Sequence, residues 1–242
     1  MKHIKLDAID STNEFLKGLS SNKIVDNFTV VTAENQTNGK GQMGSSWVSE
    51  PSKNLIMSIL VNDFLLDKNL IFEINIVAAI SIIEALQTFD IPKLSIKWPN
   101  DILSDNKKIG GILIENSFKN YGKITSIIGL GLNVNQIDFE QLPKASSLAV
   151  ICDATFNKEL ILFKIVEILK DNCLTWIENK EILLSKYNNL LFKKGIPMLF
   201  ADQNQQKFMG IIQGVTTSGK LKILLEDDSI AEFEIKEIQM LY

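Results

Sequence analysis

The sequence contains no arginine: all 25 of its basic residues are lysines, set against 29 aspartates and glutamates for a formal net charge of −4. Any anion must therefore be met by point-charge ammonium groups and backbone N–H groups, without the bidentate guanidinium fork. The slightly acidic balance offers no broad basic surface for a phosphate backbone, which argues against nucleic acid as a partner. Histidine occurs once, as His3 in an N-terminal segment read as mobile, and the two cysteines, Cys152 and Cys173, have no CxxC or other paired spacing. That scarcity leaves metal cages and histidine-dependent triads poorly supported, and each cysteine reads as a lone buried thiol in a reducing cytoplasm. The opening "MKHIKLDAIDSTNEF" has no apolar core of a signal peptide. The most apolar stretch, Ile71 to Leu86, carries Glu73, Asn75 and Glu84, so it reads as a buried helix and not a membrane span. A cytoplasmic protein without a membrane partner is expected.

What is present supports an ordinary folded chain: 242 residues with 45% hydrophobic content can bury one core and carry a small second module. "DSTNEFLKGL" reads as a helix start with Ser11 or Thr12 as N-cap. A strand is expected at 28–32, a polar loop at 34–53, a strand at "NLIMSILV", and the buried helix over 71–89. Two strands, 109–115 and 124–132, flank a turn at "KNYG" in which Gly122 can take positive φ. An amphipathic helix follows at 159–180 and continues through "EILLSKYNNLLF". From Gly195 onward, short apolar runs separated by "DQNQQ", "TTSG" and "EDDS" have the signature of a small β-barrel. A boundary is placed at Lys193 and Lys194, giving domains 1–193 and 194–242.

Four motifs carry the chemistry. In "SIKWPNDIL", Leu94, Ile96 and Trp98 alternate with Ser95 and Lys97 as in a half-buried strand, which Pro99 stops because it has no N–H for a ladder. A lysine is thereby fixed beside a tryptophan at a strand end. "GKGQMG", Gly39 to Gly44, fits G-x-G-x-x-G, but a dinucleotide fingerprint needs a helix to open there, whereas Trp47, Pro51 and a strand follow. What survives is a glycine-rich loop between strands, either a backbone N–H anion cradle or a plain flexible connection. "KKIGGILIE" and "GLGLNVN" place Gly110, Gly111, Gly129 and Gly131 in strands, where glycine weakens a sheet unless something must approach the backbone closely.

Together, in this order, "DSTNEF", "TAENQTNGKGQMGSSW", "NLIMSIL", "IKWPNDIL", "KKIGGILIE", "GLGLNVN" and the C-terminal strands resemble the biotin protein ligase family over nearly the whole chain. The resemblance implies an α+β fold: a mixed sheet packed with helices, of the class II synthetase and biotin-lipoyl ligase type, followed by a small SH3-like β-barrel. It implies an enzyme that joins biotin and ATP, with magnesium, into biotinoyl-5′-AMP and then transfers biotin to a lysine of a biotin carboxyl carrier protein. It implies substrate contacts from Ser11, Thr12 and Asn13 to the ureido ring, and from Gln36, Gly39, Lys40 and Gly41 to ring and carboxylate. It further implies that Trp47 covers the ligand, Lys97 neutralises charge, Trp98 walls the site, Asn100 contacts substrate, Gly110 and Gly111 let the ligand lie close, and Asn133 stands near the adenine. Lys97, Asp101 and Lys40 are the catalytic candidates. Asp101 either orients or deprotonates the carrier amine, or is a turn carboxylate satisfied by nearby N–H groups. Family members commonly read GRG with a further arginine beyond; here Lys40 takes the first place and Gln42 and Met43 the later ones, which bears on how firmly the adenylate is held. The ligase motifs begin by Asp10, leaving no room for the N-terminal helix-turn-helix many relatives carry, and a homodimer is compatible with the resemblance. Lipoate or octanoate ligation on the same architecture is the alternative, disfavoured by "KWPND", the Ser-Thr-Asn box and the C-terminal strands.

Overall fold

The computed structural model describes residues 2–64, 70–118 and 124–241. The expected turn at "KNYG" lies outside them. Seven strands form one mixed sheet: β1 (His3–Ile9), β2 (Val30–Gln36), β3 (Leu55–Asn62), β4 (Leu94–Lys97), β5 (Asp101–Ser104), β6 (Lys107–Phe118) and β7 (Ile124–Leu132). Their order is β1-β2-β3-β7-β6-β5-β4, with β1 and β2 parallel and every other pair antiparallel.

The helices follow from their patterns. α1 (Thr12–Asn22) is capped by Ser11, whose hydroxyl accepts from the Glu14 N–H, and it forms the β1-to-β2 crossover. α2 (Ile71–Gln87) is predominantly apolar and accordingly buried nearly throughout. Its one buried carboxylate, Glu73, is met by Lys180 and by the Trp176 indole N–H at 2.8 Å. The helix expected at 159–180 and beyond is two: α4 (Lys158–Leu174) ends at Thr175, whose non-helical backbone starts α5 (Trp176–Asn189). A short α3 (Leu148–Cys152) precedes them.

Period-2 alternation assigns the two faces of the sheet. Leu55, Met57 and Ile59 join the large core with α2, α4 and α5, whereas Leu60 and Ile127 pack under Leu16 of α1. On this second face, beyond the end of α1, Ser58, Gly129 and Gly131 leave the sheet bare of bulk. His3, expected in a mobile terminus, is instead in β1, where its ring bonds the Thr32 hydroxyl at 2.9 Å. Its pKa is lowered, chiefly by burial. Cys152 and Cys173 are free and only partly buried, and burial pushes the Cys173 thiol up to about 12, so it is no poised nucleophile.

The C-terminal strands β8 (Pro197–Asp202), β9 (Lys207–Val215), β10 (Leu221–Leu224), β11 (Ile230–Phe233) and β12 (Ile238–Leu241) form an antiparallel sheet in the order β11-β10-β9-β8-β12. β11 and β12 are its edges, so the described pairings make an open sheet and not a closed barrel. Its Phe200, Ile212, Val215, Leu221 and Ile223 belong to the same core cluster as α2 and α5. Among the described residues no helix is long and apolar enough to cross a membrane.

Candidate active site

One cavity of about 700 Å³ lies on the bare face of the large sheet, with the C-terminal sheet as its far wall. Its floor is β6 and β7, where Gly111 pairs with Gly131 and Leu113 with Gly129. A Cβ on Gly131 would run into the Trp47 indole, and one on Gly129 into the Asn13 amide. Close approach therefore requires glycine at both positions. Gly110 pairs with Leu132, and a Cβ there would meet that side chain, so Gly110 faces away from the cavity.

The closed end is polar. Gln36 Oε1 accepts from the Thr12 N–H at 2.8 Å and from its hydroxyl at 3.1 Å. Asn13 Nδ2 donates to Glu115 at 2.9 Å and to the Leu113 carbonyl at 3.3 Å. Ser58 Oγ stands 2.6 Å from Asn13 Oδ1 and 2.7 Å from Thr12 Oγ1. Its single proton serves one of them at a time, which leaves this network able to exchange a partner for a ligand.

The segment after β2 turns on itself: Trp47 N–H bonds the Gly39 carbonyl at 2.9 Å and Gly41 N–H the Ser45 carbonyl at 2.7 Å, around a 3-10 turn at Gln42–Gly44. No helix opens there, as the strand that follows requires. Lys40 Nζ lies 2.6 Å from Glu14 Oε1, which lowers the pKa of Glu14 and raises that of Lys40. The Trp47 indole rests on the glycine floor with its N–H buried and unpartnered.

Opposite this loop, the turn after β4 is pinned from several sides. Trp98 Nε1 donates to Gly219 O at 2.9 Å, Asn75 Nδ2 to Pro99 O at 3.1 Å, and Asn100 Nδ2 to Ile112 O at 2.8 Å. The strand ends at Lys97, one residue earlier than the alternation suggests, and Lys97 is the register partner of Asp101. Both line the cavity. Asp101 is not a carboxylate satisfied by N–H groups of its turn: its Oδ1 meets Lys108 Nζ at 2.7 Å, and that ammonium stands 5.8 Å from the Trp47 ring centroid.

Of the residues singled out in the sequence, Ser11, Thr12, Asn13, Gln36, Lys40, Gly41, Trp47, Lys97, Trp98, Asn100, Asp101 and Gly111 line this cavity. Gly39, Gly110 and Asn133 do not. Gly39 packs against the Trp47 carbonyl, and Asn133 gives its amide to the Ser146 carbonyl at 3.0 Å. Sequence reasoning missed Lys108, Ser58 and Glu115. The signal for Lys108 was its parity with Gly111 across a local irregularity in β6, which no spacing rule reveals.

A model of the Biotin/lipoate A/B protein ligase family matches residues 6–135, more than half of the chain. The bifunctional ligase/repressor BirA of Bacillus spizizenii is 34% identical over 131 residues, covering 54% of this chain and 39% of that protein. A biotin–[acetyl-CoA-carboxylase] ligase of Mycobacterium tuberculosis is 25% identical over 195 residues, covering 79% of this chain and 71% of that protein. The structure of a biotin protein ligase from Aquifex aeolicus in complex with biotin and ATP is similar at a TM-score of 0.80 and 28% identity, covering 99% of this chain and 98% of that one. With the match running from β1 through the glycine floor, the chain belongs to the Biotin/lipoate A/B protein ligase family.

Proposed function

We propose that this protein is an ATP-dependent biotin ligase that forms biotinoyl-5′-AMP and transfers biotin to a lysine of a biotin carboxyl carrier protein. The observation that carries the reading is the cavity itself, in which a polar closed end, a glycine floor and a set of lysines meet. Ser11, Thr12, Asn13 and Gln36, with Ser58 behind Thr12 and Asn13, suit a ureido ring, which needs both donors and acceptors. An aliphatic or dithiolane acyl chain offers this end no hydrogen bond in place of the water it would displace. This disfavours lipoate or octanoate. The name of the Aquifex relative, solved with biotin and ATP, supports the same choice.

In the first step a biotin carboxylate oxygen attacks the α-phosphorus and the bond to pyrophosphate breaks. Two anions must meet, and Lys97 and Lys108 supply fixed positive charge without transferring a proton. Asp101 holds Lys108 in place. In the second step the carrier ε-amine attacks the acyl carbon, AMP leaves, and the amine proton is lost to a base, the role assigned to Asp101. Magnesium would arrive on the triphosphate and neutralise its charge. Among the described residues no three histidine, cysteine or acidic side chains converge to hold a metal. The carboxylates that could meet the ion are Asp101 and Asp202, which line the cavity. We divide the chain into a catalytic domain, 1–193, and an SH3-like domain, 194–242, that covers the nucleotide side.

The test is incubation of the purified protein with biotin, ATP, magnesium and a biotin carboxyl carrier domain. Mass spectrometry should find one biotin on one lysine. Modification with lipoate or octanoate but not with biotin overturns the reading.

A further inference from the structure

Lys236 occupies the turn between β11 and β12, which Glu237 N–H closes onto the Glu234 carbonyl at 3.1 Å. As the third residue of that turn it has a φ of +74°, a conformation that favours glycine or asparagine. Lys93 and Lys193 share that backbone region, at +47° and +60°, so what sets Lys236 apart is where its side chain goes. Neither neighbouring acid bonds the Lys236 ammonium. Glu234 is paired with Lys220 at 3.1 Å, and the Glu237 carboxylate accepts the Glu234 N–H at 2.6 Å.

Lys236 reaches away from its own sheet. Its Nζ donates to the Met43 carbonyl at 3.3 Å, bridging the C-terminal sheet to the glycine loop, and Lys236 lines the cavity. Lys40 and Lys108, which line it too, are each held by a carboxylate, Glu14 and Asp101 respectively. Lys236 is held by a neutral carbonyl, so this contact does not offset its charge. An ammonium has three donors, and one on Met43 leaves others for an anion.

We propose that Lys236 is a nucleotide-binding residue that bonds a phosphate oxygen of ATP and of the acyl-adenylate while it clasps the loop through Met43. It supplies from the C-terminal sheet a cation at the loop positions where this chain has Gln42 and Met43. This rests on the reading of the cavity as a nucleotide site.

Lys236→Gly suits the turn and removes the ammonium, so the variant should melt no lower than the parent. Lys236→Arg is the conservative variant. Equilibrium titration with ATP, followed by tryptophan fluorescence without turnover, should show at least tenfold weaker binding for Lys236→Gly and recovery in Lys236→Arg. Biotin affinity measured by calorimetry should stay within twofold. In steady state, the KM for ATP should rise as binding falls, and amide exchange over 40–46 should quicken. Equal ATP affinity in Lys236→Gly and the parent overturns the role of Lys236. A parent that binds no ATP overturns the nucleotide site itself, and a parent that binds ATP but activates only another acid overturns biotin alone.

Discussion

Asp101 and Lys108 meet at 2.7 Å, the carboxylate from the first residue of β5 and the ammonium from the second residue of β6. Because both side chains line the cavity, the pair fixes a positive charge beside the glycine floor. Asp101→Asn keeps the shape and removes the charge that orients Lys108. It should slow adenylate formation about tenfold, a loss of about 1.4 kcal/mol in transition-state stabilisation, and slow transfer as well. Single-turnover pyrophosphate release separates the two steps. If adenylation is untouched and only transfer suffers, Asp101 acts as a base alone and its hold on Lys108 has no kinetic meaning.

Lys97 is placed by a different device. It ends β4 just before a turn that Asn75, Trp98 and Asn100 tie to α2, the C-terminal sheet and β6. These bonds hold the backbone beside Lys97, which lines the cavity, so the residue that carries the charge is in place before the reaction. Removing one preorganised donor costs a rate factor of about a hundred or more, so Lys97→Ala should slow adenylate formation by that much while biotin affinity changes little. A normal adenylation rate in this variant would leave Lys97 as a strand-end lysine only.

Ser58→Ala isolates the polar closed end. Its hydroxyl is buried between Thr12 and Asn13, and its loss leaves Asn13 Oδ1 without that donor. The expected destabilisation is about 1–3 kcal/mol in chemical denaturation, with weaker biotin binding alongside. An unchanged midpoint would mean that the amide finds another donor and the network is not what orders this end.

The floor makes a paired prediction about glycine. Gly131→Ala drives a methyl into the Trp47 indole, so tryptophan emission should shift and biotin and ATP binding should fall together. Gly18→Ala in α1 meets nothing within 4 Å. It should stabilise by about 0.5–1 kcal/mol through helix propensity and leave activity alone. Equal behaviour of the two variants would mean that the floor has room to spare.

How much of this was legible in the sequence depended on how local each cause is. The cap at Ser11, the largely apolar α2 and the strand at 124–132 follow from spacing along the chain, and the structure has them where the pattern put them. The fixed lysine after Ile96 was legible too, because proline cannot extend a ladder. β1 was missed although Ile4 and Leu6 alternate with Lys5 and Asp7: the run is short, none of its residues is fully buried, and its place is set by parallel pairing with β2 across α1. Gly110 and Gly111 looked equivalent in "KKIGGILIE", yet only register against β7 reveals that Gly111 faces the cavity and Gly110 faces Leu132. Ion pairs such as Asp101–Lys108 and Lys40–Glu14 depend on tertiary placement, and nothing in a run of lysines announces them. The contribution of Lys236 to the cavity was likewise invisible, since it depends on how the second sheet leans on the first.

Met43→Arg tests the composition itself. Met43 is 56% exposed, lines the cavity, and already sits at a φ of +57°, so an arginine inherits the backbone without new strain. A guanidinium there adds a bidentate donor for phosphate in a chain that has none. Release of adenylate into solution, read by rapid filtration, should slow about tenfold, and amide exchange over 36–50 with biotin and ATP bound should slow with it. In the Lys236→Gly background the same arginine should recover more than it adds to the parent, because two cations serving one phosphate are not additive. Release at the parental rate in both backgrounds would mean that the loop positions held by Gln42 and Met43 have no bearing on how long the adenylate stays.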